Sequence, residues 1–265
     1  MSNSKGTALI TGASRGIGAV YADRLARRGY DLILVARDED RLAALGASLA
    51  TATGRKVTVL TADLNDRAGV ARVEERLRHD RSITMLVNNA GIAAVTPLLQ
   101  SDVDAMERMI DLNVTALTRL TYAAAPAFAE RGAGTIINIA SIVGVTPETL
   151  NGVYGASKAY VIALTHSLQH ELAEKGVRVQ AVLPGATATD LWAAAGLPWQ
   201  KLPAHIVMSA EDAVDAALAG LDHGERVTIP GLQDDEEWKR FEAARRALSD
   251  KLSSAQPAPR YRVAA

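Results

Sequence analysis

The 265-residue chain contains no cysteine, which excludes disulfides, thiol nucleophiles and thiolate zinc sites outright. It also lacks an excess of either charge: 29 Lys and Arg stand against 30 Asp and Glu. That balance offers no general attraction to nucleic acid or to an anionic membrane surface. No segment holds the roughly 18 unbroken apolar residues of a membrane span. The opening stretch MSNSKGTALITG has one lysine and a very short apolar run, whereas a secretory signal needs an apolar run of about 7 to 15 residues. A cytoplasmic protein is therefore expected. Of five histidines, only His166 and His170 stand one helical turn apart. With no His-Glu-x-x-His pattern around them they read as helix-surface residues, and no metal site is expected.

Apolar residues make up 48% of the chain, enough for a substantial core at a length that suits one large domain as well as two small ones. Short apolar runs alternate with longer amphipathic stretches. TALIT (7–11), DLILVA (31–36), KVTVLTA (56–62), TMLVN (84–88), TIINIAS (135–141) and RVQAVLP (178–184) read as strands. Several are apolar at successive positions, as parallel strands covered on both faces should be. Helical periodicity occupies 16–28, 38–53, 66–79, 102–130 and 154–175. This order predicts an α/β fold, a doubly wound parallel sheet with helices on both faces. A last strand is expected at RVTIP (226–230), then a charged helix over 235–252. Residues 1–253 read as a single domain, and the Pro/Ala/Ser-rich 254–265 as a loosely ordered tail.

Directly after the first strand, TGASRGIG sets Gly12, Gly16 and Gly18 in a G-x-x-x-G-x-G spacing. A glycine at a strand end permits a sharp turn. Later glycines let a pyrophosphate approach the backbone at a helix N-terminus, where free N–H groups favour negative charge. Glycines also punctuate ordinary turns; the place of this loop between first strand and first helix favours the phosphate reading. Arg37 follows the second strand about 19 residues past the loop. An acidic residue at this point suits the ribose 2′-hydroxyl of NAD, whereas an arginine suits a 2′-phosphate. Arg15 and Arg37 thus favour NADP(H) over NAD(H), because a guanidinium matches phosphate bidentately. The plainer alternative is two solvated loop arginines beside Asp38.

NGVYGASKAY (151–160) puts Tyr154 and Lys158 four apart, on one face of a helix. Taken alone, such a pair is common on helix surfaces. Taken with TGASRGIG, NNAG (88–91), Asn113, Ser141 and PGATAT (184–189), in that order, it resembles the short-chain dehydrogenase/reductase family of NADP-preferring type, over about residues 6 to 190. The resemblance implies a Rossmann-type domain and an NADP(H)-dependent oxidoreductase interconverting a carbonyl and a secondary alcohol.

It also implies where the cofactor is held: by Gly12, Ser14, Arg15, Gly16, Ile17 and Gly18, and by Arg37. Asp63 accepts from the adenine amino group, next to Leu64. Asn88 faces the dinucleotide, with Ala90 and Gly91 lining the cleft. Pro184, Gly185, Thr187 and Thr189 wrap the nicotinamide, Thr189 reaching its carboxamide. Thr187 replaces the more usual Ile or Val, with little change expected because backbone groups hold the carboxamide there.

Reducing a carbonyl requires a proton donor for its oxygen, and a phenol of ordinary pKa near 10 is a poor one at neutral pH. Lys158 and the positive nicotinamide of the oxidised cofactor are expected to lower the Tyr154 pKa, and both Tyr154 and Lys158 to contact the cofactor. Ser141 is expected to polarise the substrate oxygen, and Asn113 to anchor a water that links Lys158 to solvent. Each of these residues also has a plainer reading, Ser141 as a turn cap and Asn113 as a satisfied helix amide; their joint occurrence beside a dinucleotide loop favours the catalytic one.

Substrate specificity is expected at the carboxyl ends of the strands, from Ile142 and Val143 and from a 190–209 lid that holds Trp192 and Trp199. Those tryptophans either cover an apolar small-molecule substrate or pack against the core or a neighbouring subunit. By analogy with the family, the 102–130 and 154–175 helices pair across a two-fold axis in a homo-oligomer, a dimer or tetramer. Two alternatives stand beside this reading: a 3-oxoacyl-carrier-protein reductase, which shares these motifs, and a dinucleotide-sensing regulatory protein without turnover, a type that tends to lose the tyrosine or the lysine, both present here.

Overall fold

The apolar runs fold as strands hidden on both faces. In the computed structural model, which describes residues 4–261, β1 (Thr7–Thr11) is buried at all five positions. β2 (Asp31–Ala36) and β3 (Val57–Thr61) extend the sheet to one side, and β4 (Ile83–Asn88), β5 (Gly134–Ile139), β6 (Val177–Val182) and β7 (Val227–Thr228) to the other. The order is β3-β2-β1-β4-β5-β6-β7, with every neighbouring pair parallel. The chain winds outward from β1 to β3 and then returns to β4 on the other side of β1. Between the carboxyl ends of β1 and β4 lies the topological switch point where such sheets bind ligands.

Helices cover both faces. α1 (Gly16–Arg27), α2 (Glu39–Thr53) and α8 (Ala210–Asp222) build one core, in which Tyr21, Leu25, Leu42 and Leu218 pack on Ile10 and Leu34. α3 (Arg67–His79), α5 (Leu117–Arg131) and α6 (Gly152–Glu171) build the other, in which Val73, Leu120, Phe128 and Leu168 pack on Leu9, Leu86 and Ile136. Most helices start where a side chain accepts from a free backbone N–H: Asp38 caps α2, Asp66 caps α3, Asn151 caps α6 and Ser209 caps α8, as their residue types favour.

Several expected elements end elsewhere. The helix expected over 102–130 is α4 (Val103–Ile110) and α5 joined by a π turn at Asp111–Ala116. The strand expected to reach Ser141 stops at Ile139, because Ser141 turns the chain into a 3₁₀ segment by accepting from Val143 N. Likewise β6 stops at Val182 and β7 spans two residues. α7 (Asp190–Ala194) is the one α-helix of the expected lid.

The unit carrying the sheet closes at Pro230. From Gly231 a second unit holds α9 (Asp235–Ala247), with Trp238 stacked on Phe241 and Glu242 paired with Arg245 and Arg246. The tail expected to be loose contains a 3₁₀ turn at Pro259–Tyr261. Its last four residues, and the first three of the opening stretch, lie outside the described residues. Among the described residues no helix is long and apolar enough to cross a membrane.

Candidate active site

The glycine loop is laced to the strand on the other side of the switch point. Thr11 Oγ1 accepts from the backbone N–H groups of Asn89 and Ala90, both at 3.0 Å. Asn89 Nδ2 donates back to Thr11 O at 2.9 Å and Gly12 O at 3.2 Å. Gly12 and Gly16 have φ of +65° and +55°, conformations that a side chain rarely adopts. A Cβ on Gly18 would press on the carbonyl of Gly12. Unlike its capped neighbours, α1 starts at Gly16 with no side-chain cap and no acidic residue in its first turn. Its free N–H groups and the side-chain-free glycines form a cradle that fits a diphosphate. Gly12, Ser14, Arg15, Gly16, Ile17 and Gly18 thus gather in one loop.

Both arginines expected at a 2′-phosphate are near carboxylates. Arg15 Nη1 lies 3.6 Å from Asp190 Oδ2, and Arg37 Nη1 lies 3.8 Å from Asp63 Oδ2. The second pair sits at the ends of adjacent strands, where Asp63 also accepts from Asn65 N and Leu64 is buried.

Across the cleft, Asn151 caps α6 by accepting from the N–H groups of Val153 and Tyr154, which sets Tyr154 in the first turn. Tyr154 is buried, and burial pushes its phenol up to about 12, against a smaller downward pull from a hydrogen bond with Ser141. One turn on, Lys158 is buried with its Nζ donating to Ile139 O at 3.0 Å and lying 5.9 Å from the centre of the Tyr154 ring. Burial lowers the ammonium to about 8. In the chain by itself desolvation dominates both groups, because the neutral form of each is the one that tolerates burial; the expected lowering of the Tyr154 pKa involves the bound oxidised cofactor as well as Lys158.

Asn113 is buried in the π turn, where it donates to Ile92 O and Ser157 Oγ and accepts from Ile92 N. Both of its amide hydrogens are therefore committed to protein, leaving only acceptor capacity for the water it was expected to anchor. A Cβ on Gly91 would sit 3.1 Å from Asn113 Oδ1 and 3.5 Å from Lys158 Nζ, which accounts for the glycine. Asn88 does not face the cleft. Its amide donates to Thr121 Oγ1 and Asn138 Oδ1 inside the protein. The neighbouring Asn89, absent from the expected set, makes the contacts to the loop instead. Asn88 pairs in register with Asn138, which turns its side chain inward; Asn89, one residue past the strand, turns back toward Thr11.

The Pro184–Thr189 segment closes the site. Pro184 O accepts from Ile142 N and from Ser141 Oγ. Thr187 is buried and donates to Gly185 O within its own loop, while the adjoining backbone pairs with Met208. Thr189 lies over the glycine loop: a Cβ on Gly16 would meet its side chain at 3.1 Å. Val143 joins an apolar cluster with Tyr154, Ala94, Met106 and Met109, packed by Ile92, Leu150 and Val153. The two methionines were missed by sequence reading, because they come from α4, whose position follows only from the fold. Ile142 is exposed, its Cδ1 3.7 Å from where a Cβ of Gly185 would be. Trp192 and Trp199 are half-buried and belong to neither large core.

A family model described as short chain dehydrogenase matches residues 6–197. Among solved structures, a short-chain dehydrogenase from Sphingobium yanoikuyae in complex with NADPH is 50% identical, with a TM-score of 0.94 over 97% of this chain and 100% of that one. A bulky-bulky ketone specific alcohol dehydrogenase from Comamonas testosteroni is 44% identical, with a TM-score of 0.90 over 98% and 99%. An uncharacterised oxidoreductase of Staphylococcus saprophyticus is 34% identical over 84% of this chain and 93% of its own.

Proposed function

Because the chain belongs to the short-chain dehydrogenase family, whose members are oxidoreductases, we propose that it is an NADP(H)-dependent enzyme interconverting a ketone that carries two bulky apolar groups and its secondary alcohol. The observation that carries this reading is the buried Tyr154 one helical turn from the buried Lys158, whose Nζ lies 5.9 Å from the phenol ring, across the switch point from an uncapped glycine loop. NADP(H) supplies the hydride when bound. Gly12, Gly16 and the free N–H groups of α1 hold its diphosphate, and Arg15 and Arg37 are the partners available to a 2′-phosphate.

For the reduction, Tyr154 Oη holds the proton that the carbonyl oxygen takes up as it becomes an alkoxide. Ser141 Oγ, which donates to Pro184 O in the free chain, turns to donate to the same oxygen and polarises it. Lys158, charged below about pH 8, stabilises the tyrosinate left behind. Asn113 and Ile92 fix the floor under Lys158. Two further observations support the cofactor and the substrate class. The Sphingobium relative is complexed with NADPH. The Comamonas relative is specific for bulky-bulky ketones, which suits the apolar cluster beside Tyr154.

The test is NADPH oxidation across a panel containing a ketone with two aryl-sized groups, a small methyl ketone, an aldehyde and an acetoacetyl thioester. The bulky ketone should give the highest kcat/KM. A preference for the thioester would move the assignment to a 3-oxoacyl reductase, and NADPH binding with no turnover at all would move it to a sensing protein.

A further inference from the structure

The NADP(H) reading leaves one residue unassigned. Arg15, in the glycine loop, is paired with Asp190, the first residue of α7 and hence of the substrate-side segment. Asp190 is not needed as a cap, because the N-cap of α7 is Thr189 and its side chain makes no capping bond. Both partners are more than half exposed, so the pair is weak and easily exchanged. A competitor need only offer more charge and better geometry. A phosphate monoester does so, carrying about −1.5 to −2 at neutral pH with three strong acceptor oxygens, against one charge and two oxygens on Asp190.

Resting on the NADP(H) reading, we propose that Asp190 is a specificity-determining latch. It holds Arg15, and so ties the start of α7 to the glycine loop, until a 2′-phosphate takes the guanidinium away. NADP(H) would then release α7 where NAD(H) would leave it tied. Arg37 has an analogous partner in Asp63, but both of those groups already face the adenosine end and connect to nothing on the substrate side. Asp190 joins the glycine loop to the segment that begins the substrate side.

The experiment compares the wild type with Asp190→Asn and Arg15→Gln by two readouts. Titration calorimetry measures NADPH, NADH and adenosine 2′,5′-bisphosphate binding, and hydrogen exchange follows the amides of residues 190–197. Asp190→Asn should tighten NADPH and the bisphosphate about two- to five-fold, the worth of an exposed ion pair, and leave NADH unchanged. Arg15→Gln should weaken both phosphorylated ligands. In the wild type, NADPH should speed exchange at 190–197 relative to NADH; in Asp190→Asn the two should be equal. Equal changes for NADH and NADPH would mean that the substitution merely disturbs α7, and would overturn the latch. So would an unchanged NADPH affinity in Asp190→Asn with wild-type discrimination intact. If the wild type bound NADH as tightly as NADPH, the NADP(H) reading itself would fail, and that result is distinguishable from either.

Discussion

Tyr154 and Lys158 face each other across one helical turn, and burial moves their protons in opposite directions. The phenol keeps its proton up to about pH 12, and the ammonium loses its own near 8. In the proposed mechanism ketone reduction uses a protonated phenol and a charged lysine, so kcat/KM in that direction should decline as pH rises through about 8. A flat profile from pH 7 to pH 10 would contradict the role given to Lys158. Holding Lys158 near 8 rather than 10.5 means that its charge costs the fold about 3 kcal/mol, more than the roughly 1–3 kcal/mol of leaving Ile139 O without its donor. Lys158→Met should therefore raise Tm by a few degrees while turnover collapses. In linkage terms the lowered pKa makes stability rise with pH between about 8 and 10.5, where the folded protein has shed a proton that the unfolded chain keeps. The four-residue spacing of this pair is legible in the sequence. The sign of its pKa changes is not, because it depends on burial by residues far along the chain.

At the scale of elements, the π turn at Asp111–Ala116 does what a regular helix would not. The wider turn coincides with the place where Asn113 is held by Ile92 on one side and Ser157 on the other, and such turns recur at functional sites. Gly91→Ala would press on Asn113 Oδ1 at 3.1 Å, beside Lys158 Nζ at ordinary contact distance. It should lower kcat about ten-fold or more, since small misplacements of reacting groups are costly, while NADPH binding measured by fluorescence stays close to wild type. Gly18→Ala acts on a different element. Its Cβ meets the Gly12 backbone, which should cost about 1–3 kcal/mol by urea denaturation and weaken NADPH binding as well. Periodicity made the strands and most helices readable, because parallel strands are apolar throughout and surface helices repeat on one face. It could not reveal the π turn, since one extra residue per turn leaves the surrounding pattern almost unchanged. Nor could it choose between Asn88 and Asn89, where the choice depends on the residue at which β4 stops pairing.

At the scale of the whole molecule, the order of the strands sets the site, and the outer faces of α5 and α6 are left with Tyr122 and Tyr160 exposed. The expectation of a homo-oligomer is tested by light scattering at micromolar concentration, where the mass should be a multiple of 28.0 kDa; a monomer would refute it. The lacing of Thr11 to Asn89 and Ala90 has a further consequence for how the protein comes into being. During synthesis β1, β2 and β3 emerge first, while the unit that holds them folds as a whole. The Thr11 hydroxyl, however, waits for residues some eighty positions later in the chain, and the Ser141 hydroxyl waits for Pro184. A nascent chain therefore acquires the residues of the glycine turn early, the opposite wall of the cleft midway, and the partner of Ser141 only when the last long strand has been made. Premature release would yield a chain that carries the glycine loop while Ser141 still lacks its Pro184 partner.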